Sequence, residues 1–109
     1  METARDFVDC GIDCVCPFER PPGGDVKDEN DLRLLRGILD GKVTMNGNIH
    51  TVETLIRGTP EAVRREVREV LAAFGDTPRL IVGSGDQVGR ETPEENLFAM
   101  IDEVQQHCR

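Results

Sequence analysis

A chain of 109 residues has room for at most one small domain, and it buries a smaller fraction of its surface than a larger domain does. With 38% hydrophobic and 31% charged residues, no Trp or Tyr and four Phe, the composition is typical of a globular protein whose core is built from Val, Leu and Ile. A formal net charge of -8 argues against electrostatic binding to nucleic acid or to an anionic membrane surface. Because no segment has the pattern of a membrane span or a signal peptide, we expect a soluble protein of the cytoplasm.

The first half of the chain alternates helix and strand patterns twice. Apolar residues recur at helical spacing in two segments, 3–10 and 32–39, and a glycine that suits a helix end follows each of them. Two short runs, 12–18 and 42–46, predict strands. Between the first strand and the second helix, the paired prolines and glycines of 19–25 exclude regular structure.

The third helix has the strongest signals of the chain. Gly47-Asn48-Ile49-His50 leaves the second strand, a short helical turn ends at Gly58, and Thr59-Pro60 is then a typical helix start. One apolar stripe follows, at Val63, Val67, Val70, Leu71 and Phe74. The arginines of this helix alternate with Glu66 and Glu69, which predicts a solvated face with local ion pairs.

The last quarter of the chain is the most informative part, because it combines an apolar strand, a glycine-bearing loop and a helix. The apolar run 80–83 precedes the loop 84–91, and Thr92, Pro93 and Glu95 predict a capping box at the helix start. The stripe of this helix is expected at Leu97, Ile101, Val104 and Cys108. In a parallel α/β protein, ligands meet the fold at the loops that leave the carboxyl ends of the strands.

The order of these elements predicts an α/β fold with a parallel sheet and right-handed crossovers. Three strands are too few to close a barrel or to form a doubly wound sheet. If the helices lie on one face, the other face and both edges of the sheet stay open. We therefore expect either self-association or a chain that supplies further strands.

The four cysteines do not have the spacing of a structural zinc site, which normally contains a CxxC knuckle. They are Cys10, Cys14, Cys16 and Cys108. We interpret them as buried, reduced thiols that act as small hydrophobes, with zinc binding through Cys14 and Cys16 as the alternative.

Five segments in order resemble the C-terminal part of the uroporphyrinogen decarboxylase family, a family of (β/α)8 TIM barrels. They are 21–25, 47–49, 55–63, 83–85 and 92–96, and the resemblance covers nearly the whole chain. It implies that residues 1–109 are a single C-terminal segment of such a barrel, a partial barrel of about three parallel strands with flanking helices. The family contains the decarboxylases of porphyrin metabolism, which are lyases, and corrinoid-linked methyltransferases.

The family motifs are matched only in part. The family's decarboxylases usually have a histidine inside the final Gly-x-Gly, where this chain has Ser84. Its zinc-dependent methyltransferases have a cysteine ligand after that motif, where this chain has Asp86. The family's upstream His-x-Cys ligands, and the N-terminal arginines and aspartate of its decarboxylases, match nothing here.

The resemblance therefore implies a protein closer to the methyltransferase or uncharacterised branch than to a true decarboxylase, and inactive as an isolated segment. The alternative is a non-catalytic assembly module, or a truncated remnant that folds with a partner chain. The residues themselves predict no cofactor. The resemblance to the family implies a corrinoid as a partner molecule.

Polar residues at the carboxyl ends of the three strands form the candidate site. We predict that His50 moves a proton near neutral pH and that Asp86 accepts one or helps to hold a cation, so that these two residues are catalytic. The predicted substrate-binding residues are Glu19, Arg20, Asn48, Ser84 and Gln87. For each of them alone, an exposed loop residue is the simpler interpretation, and only their shared end of the sheet supports a joint site. No metal site is predicted, because a lone carboxylate at Asp86 does not retain zinc.

Overall fold

The predicted alternation of helices and strands is present in the computed structural model, which describes residues 2–16, 20–21, 26–39, 42–74, 79–84 and 88–107. The elements are α1 (Glu2–Asp9), β1 (Cys14–Val15), α2 (Glu29–Leu39), β2 (Thr44–Ile49), a π-helical turn (Thr51–Ile56), α3 (Pro60–Phe74), β3 (Leu80–Ser84) and α4 (Glu94–His107). None of the helices in these ranges is long and apolar enough to cross a membrane.

The three strands form a parallel sheet in the order β1-β2-β3, as the alternation predicts. β2 is longer than the sequence indicates, because its ladder with β3 continues until Ile49 lies opposite Ser84. β1 is shorter than predicted, since only Cys14–Val15 pairs with β2 among the described residues, and 17–19 lie outside them. The carboxyl ends of the three parallel strands share one edge of the sheet.

The helices cover one face of the sheet. Met45 and Ile49 of β2 are fully buried on that face, in one core with residues of α2 and α3. That core includes Leu32, Leu35, Leu39, Val63, Val67, Val70 and Phe74, so the apolar stripes predicted for α2 and α3 are confirmed, with Leu71 partly buried.

The other face, which we call the open face, carries Cys14, Thr44, Asn46 and Ile81. Cys14 is in register with Thr44, and Asn46 is in register with Ile81, so these side chains share one side of the sheet. No helix covers Ile81 among the described residues, and 51% of its surface is exposed. The prediction that one face stays open is consistent with this arrangement.

The predicted stripe of α4 is confirmed in part, because Leu97 and Val104 pack partly buried against the core, and it is wrong at Ile101. Ile101 is exposed, whereas Asn96, Ala99 and Glu103 are buried. These three residues also follow helical spacing, but two of them are polar, so apolar periodicity does not detect the face they form. Cys108 lies outside the described residues.

The predicted capping box at the start of α4 is also wrong. The helix begins at Glu94, and the Thr92 hydroxyl is buried without a hydrogen-bond partner among the described residues. The main-chain oxygen of Pro93 accepts the bond from the Asn96 amide instead.

The interpretation of the cysteines as buried hydrophobes is wrong for every cysteine that the structure describes. Cys10, Cys14 and Cys16 are exposed and carry free thiols. For Cys14 and Cys16 the reason is the alternation of the extended chain, which turns Val15 toward the helices and the residues on either side of it toward solvent.

Candidate functional site

Four of the predicted site residues lie at the carboxyl edge of the sheet, where the sequence places them. Arg20 and Asn48 are in direct contact, His50 follows the last residue of β2, and Ser84 is the last residue of β3. The remaining three predicted residues are Glu19, Asp86 and Gln87, and they lie outside the described residues.

Arg20 is held in a buried network of hydrogen bonds and ion pairs. Its Nε atom donates to the main-chain oxygen of Asn48 over 3.1 Å, and its Nη1 atom donates to the main-chain oxygen of Lys27 over 2.9 Å. The guanidinium also lies 3.3 Å from a carboxylate oxygen of Glu66 and 3.0 Å from one of Glu69. Only 7% of the residue is exposed, so its charge is balanced inside the protein and screened little by water.

Glu66 joins the end of β2 to the π-helical turn. One carboxylate oxygen accepts the main-chain N–H of His50 over 3.1 Å, and the other accepts the Thr54 hydroxyl in a short hydrogen bond. Glu66 is buried, so the predicted solvated face of α3 is wrong at this position.

Sequence reasoning missed Glu66 as a member of the site, although one signal was available. Glu66 stands three residues after Val63 and four before Val70, which places it inside the apolar stripe of α3. A carboxylate inside such a stripe is expected to have a buried cationic or hydrogen-bonding partner.

The backbone at the end of β2 has an unusual conformation. Gly47 has a φ of 126° and Asn48 a φ of 93°, which is the left-handed region that non-glycine residues rarely occupy. Asparagine tolerates this region better than most residues, and Asn48 is almost completely buried. Strained backbone of this kind persists where surrounding contacts hold it in place. Here these contacts are the strand pairing with Gly83 and the hydrogen bond from Arg20.

His50 caps the π-helical turn with its ring. Its Nδ1 atom accepts the amide of Val52 over 3.1 Å and the amide of Glu53 over 3.0 Å. A ring nitrogen that accepts two amides carries no proton, so the neutral ring holds its proton on Nε2 in this hydrogen-bond network. Only Nε2 is therefore left to exchange a proton with a ligand. The catalytic role predicted for His50 is restricted to this atom.

The π-helical turn is also fixed from its carboxyl end. The buried Asn96 side chain donates from Nδ2 to the main-chain oxygen of Leu55 over 2.8 Å and to that of Gly58 over 3.0 Å. The loop before α4 packs on the same turn, since a Cβ built on Gly89 would lie 2.7 Å from a side-chain carbon of Ile56. The turn that presents His50 is thus anchored to α3 and to α4.

A second charged cluster joins α3 to α4, away from the strand ends. Arg68 donates to Glu103 over 2.6 Å, Arg64 donates to the other oxygen of Glu103 over 3.1 Å, and His107 lies 3.3 Å from the same carboxylate. The hydrogen bond from Arg68 is the largest cause that holds the pKa of Glu103 below its usual value. Burial acts in the opposite direction, and the hydrogen bonds from Arg64 and His107 lower the pKa further. Hydrogen bonds to carboxylates raise the pKa of both arginines, with Asp102 the largest cause for Arg64 and Glu103 for Arg68. This cluster fastens the two helices together.

Comparison with known proteins identifies the fold and the family. The model of the family "Uroporphyrinogen decarboxylase (URO-D)" matches residues 2–107. A uroporphyrinogen decarboxylase from Paraburkholderia phytofirmans is 34% identical over 79 residues, which are 72% of this chain and 21% of that protein. One from Burkholderia mallei (strain SAVP1) is 35% identical over 69 residues, which are 63% of this chain and 18% of that protein.

A solved structure supports the same assignment at the level of the fold. The methyltransferase from Methanosarcina mazei superposes with a TM-score of 0.69 and 22% sequence identity, over 94% of this chain and 27% of that one. Together with the parallel sheet, this likeness shows a partial TIM barrel of three strands with flanking helices. The chain spans about a fifth of the length of the curated relatives it matches, and it belongs to the uroporphyrinogen decarboxylase family.

Proposed function

We propose that this chain forms one side of the mouth of a small-molecule site in a barrel of the uroporphyrinogen decarboxylase family. We place it nearer to the methyltransferase or uncharacterised branch than to the true decarboxylases. As an isolated chain it does not decarboxylate uroporphyrinogen, because the strands that would complete the mouth come from elsewhere in a barrel. The curated relatives are named decarboxylases, so the proposal departs from their name on the strength of the site residues.

The state of Arg20 is the observation that carries this proposal. A porphyrinogen with many carboxylates needs cationic side chains at the mouth of its site. The Arg20 guanidinium lies between the carboxylates of Glu66 and Glu69, so this group of three carries a net negative charge when all are ionised. An incoming carboxylate would have to displace these partners and would meet repulsion from them.

The ends of β2 and β3 support the same conclusion. Ser84 occupies the position at which the family's decarboxylases usually have a histidine, and a hydroxyl does not titrate near neutral pH. The His50 ring remains half-buried at the same edge, with its Nδ1 atom used by the π-helical turn. Among the described residues, this edge offers single polar groups rather than a cluster of positive charge.

The experiment measures both turnover and binding. The purified chain is incubated anaerobically with uroporphyrinogen, and coproporphyrinogen is quantified against the Burkholderia mallei enzyme assayed in parallel. We expect no product above the blank. Product formed at an enzymatic rate would overturn the proposal.

A binding measurement tests whether Arg20 can serve a polycarboxylate ligand. Uroporphyrin, the fluorescent oxidised form of the substrate, is titrated with the chain and with Arg20→Gln. We expect no saturable binding by either protein. Saturable binding by the natural chain that Arg20→Gln abolishes would show that Arg20 serves a polycarboxylate, and would contradict the assignment to the other branch.

The second candidate is a non-catalytic assembly module, and the open face of the sheet favours it. Among the described residues, the outer edges of β1 and β3 have no partner strand, and Ile81 is exposed on the open face. Unpaired strand edges and exposed apolar side chains favour association with another chain or another copy. A module of this kind would associate specifically and remain inert in both assays above.

A further inference from the structure

The exposed thiols of Cys14 and Cys16 form a pair that neither the family assignment nor the proposed function uses. Cys14 belongs to β1 and Cys16 directly follows the strand, and the burial alternates as exposed, buried, exposed along residues 14–16. Side chains two positions apart on a strand point to the same side. Both thiols therefore stand on the open face, away from the helices.

Strand geometry keeps this pair from closing into a disulfide. Alternate residues of a parallel strand have Cα atoms about 6.6 Å apart, and their Cβ atoms are separated by a similar distance because the side chains are parallel. A disulfide requires Cβ atoms about 3.8 Å apart. The two thiols consequently stay reduced without a change in the backbone of β1.

The same separation suits a single ion held between two sulfur atoms. In a linear S–metal–S unit with metal–sulfur bonds of about 2.3 Å, the sulfurs are about 4.6 Å apart. Rotation about the Cα–Cβ bonds turns two side chains on one face toward each other, so that the sulfur atoms come closer together than the Cβ atoms. Two thiols with the spacing of alternate strand residues are therefore within reach of one bridging ion.

The number of ligands determines which ion fits. Structural zinc takes four protein ligands, and the described residues contain no group of three or more His, Cys, Asp or Glu side chains placed to hold a metal. Soft thiolates favour Cu(I) among the metals common in proteins, and two thiolates satisfy a two-coordinate ion.

We propose that Cys14 and Cys16 form a two-thiolate binding site for a soft monovalent cation, with Cu(I) as the probe. Binding converts two thiols to thiolates and releases two protons, so the ion and its ligands together carry one negative charge. No electron is transferred, because the ion enters and stays in the monovalent state.

The test is a competition for Cu(I) between the reduced chain and the chromophoric chelator bicinchoninate, under anaerobic conditions. We expect one Cu(I) per chain. Cys14→Ser and Cys16→Ser should each lower the affinity at least tenfold. The matched control replaces both other cysteines, Cys10→Ser with Cys108→Ser, and should bind Cu(I) with unchanged affinity and stoichiometry.

Far-ultraviolet circular dichroism checks that each variant is folded, which we expect because the replaced thiols at 14 and 16 are exposed. Binding that survives Cys14→Ser, or that falls equally when Cys10 and Cys108 are replaced, would overturn the site. One Cu(I) shared by two chains would also overturn it, because the pair would then be a bridge between molecules rather than a site within one.

Discussion

The Nε atom of Arg20 donates a 3.1 Å hydrogen bond to the main-chain oxygen of Asn48, at the point where the backbone of β2 enters the left-handed region. The same guanidinium faces Glu66, and Glu66 in turn accepts the N–H of His50. The loop after β1, the end of β2 and the start of the π-helical turn are therefore parts of one buried polar network. A disturbance of any member is expected to reach the others, because an unpaired polar group is costly in the low-dielectric interior.

Replacing Glu66 by alanine should cost about 3–5 kcal/mol of unfolding free energy, which is the usual cost of removing one partner of a buried ion pair. The His50 amide and the Thr54 hydroxyl would lose the acceptor that Glu66 provides, and Arg20 would lose one of its two carboxylate partners. Urea unfolding followed by circular dichroism measures the change. Glu61→Ala is the control, because the Glu61 side chain is 73% exposed on the same helix and should change stability by less than about 0.5 kcal/mol. Equal losses in the two variants would show that the buried network does not carry the stability assigned to it.

The Glu103 cluster predicts a specific dependence of stability on acid. The pKa of Glu103 in the folded chain lies below its ordinary value of 4.5, chiefly because of Arg68. The stability that ionised Glu103 contributes is therefore fully present above its pKa in the unfolded chain. It is lost as the pH falls through its pKa in the folded chain.

Glu103→Gln should lower stability at pH 7 by about 1–2 kcal/mol, since hydrogen bonds to a charged group are lost and both arginines are partly solvated. Below pH 4.5 the gap between the variant and the natural chain should narrow. The midpoint of urea unfolding of both proteins, determined from pH 2.5 to 7 at about half-unit steps, measures this difference in stability. Asp102→Asn, on the solvent side of the same cluster, should leave the pH profile nearly unchanged, and a gap that stays constant with pH for Glu103→Gln would refute the assignment.

Gly58 is required by a close approach of the backbone. A Cβ built there would lie 2.4 Å from the main-chain oxygen of Thr54, so Gly58→Ala must displace the end of the π-helical turn. We expect a loss of about 1–3 kcal/mol, in the range of overpacking a well-packed site. Gly37→Ala is the matched control, because nothing lies within 4 Å of its Cβ position in α2, and alanine there should stabilise the helix by about 0.5–1 kcal/mol. Thermal melts that show the two substitutions acting in the same direction would contradict the clash.

Asn96 should be as important to the turn as a core residue. Asn96→Ala removes both bonds from Nδ2 and leaves the oxygens of Leu55 and Gly58 without these donors, at a cost of about 2 kcal/mol. Hydrogen exchange measured by NMR should show faster exchange in the π-helical turn than in α2 of the same variant. Asn30→Ala on the exposed side of α2 provides the control and should leave the turn as protected as in the natural chain. Uniform loss of protection over all elements would mean that Asn96 supports global stability only.

Ile81 tests whether the open face drives association. Ile81→Lys places a charge on this face and should shift a self-association equilibrium toward the 12.1 kDa monomer, as judged by sedimentation equilibrium at micromolar concentration. Phe98→Lys is the control, since Phe98 is equally apolar and more exposed but lies on α4. A compact monomer of the natural chain, or dissociation caused equally by both substitutions, would count against the open face as the interface.

Much of the architecture follows from local sequence. α3 starts at Pro60, directly after Thr59, and Gly11 adopts a positive φ after α1. The alternation of helix and strand patterns leads to a parallel sheet. These features depend on backbone preferences and on apolar periodicity, which act within a few residues of each other. The family motifs in order also identify the barrel, because they lie in the loops and helix starts that such short-range rules describe.

Tertiary structure alone decided which partners the buried charges meet and which thiols are exposed. The place of Glu66 in the apolar stripe of α3 indicates burial, but only the fold sets Arg20, distant in sequence, against Glu66 and Arg68 against Glu103. Cys14 looks like a core residue until the pleat of β1 assigns the helix-facing side to Val15. Burial of a charge depends on a partner that desolvates together with it, and that partner is found only when the chain has folded.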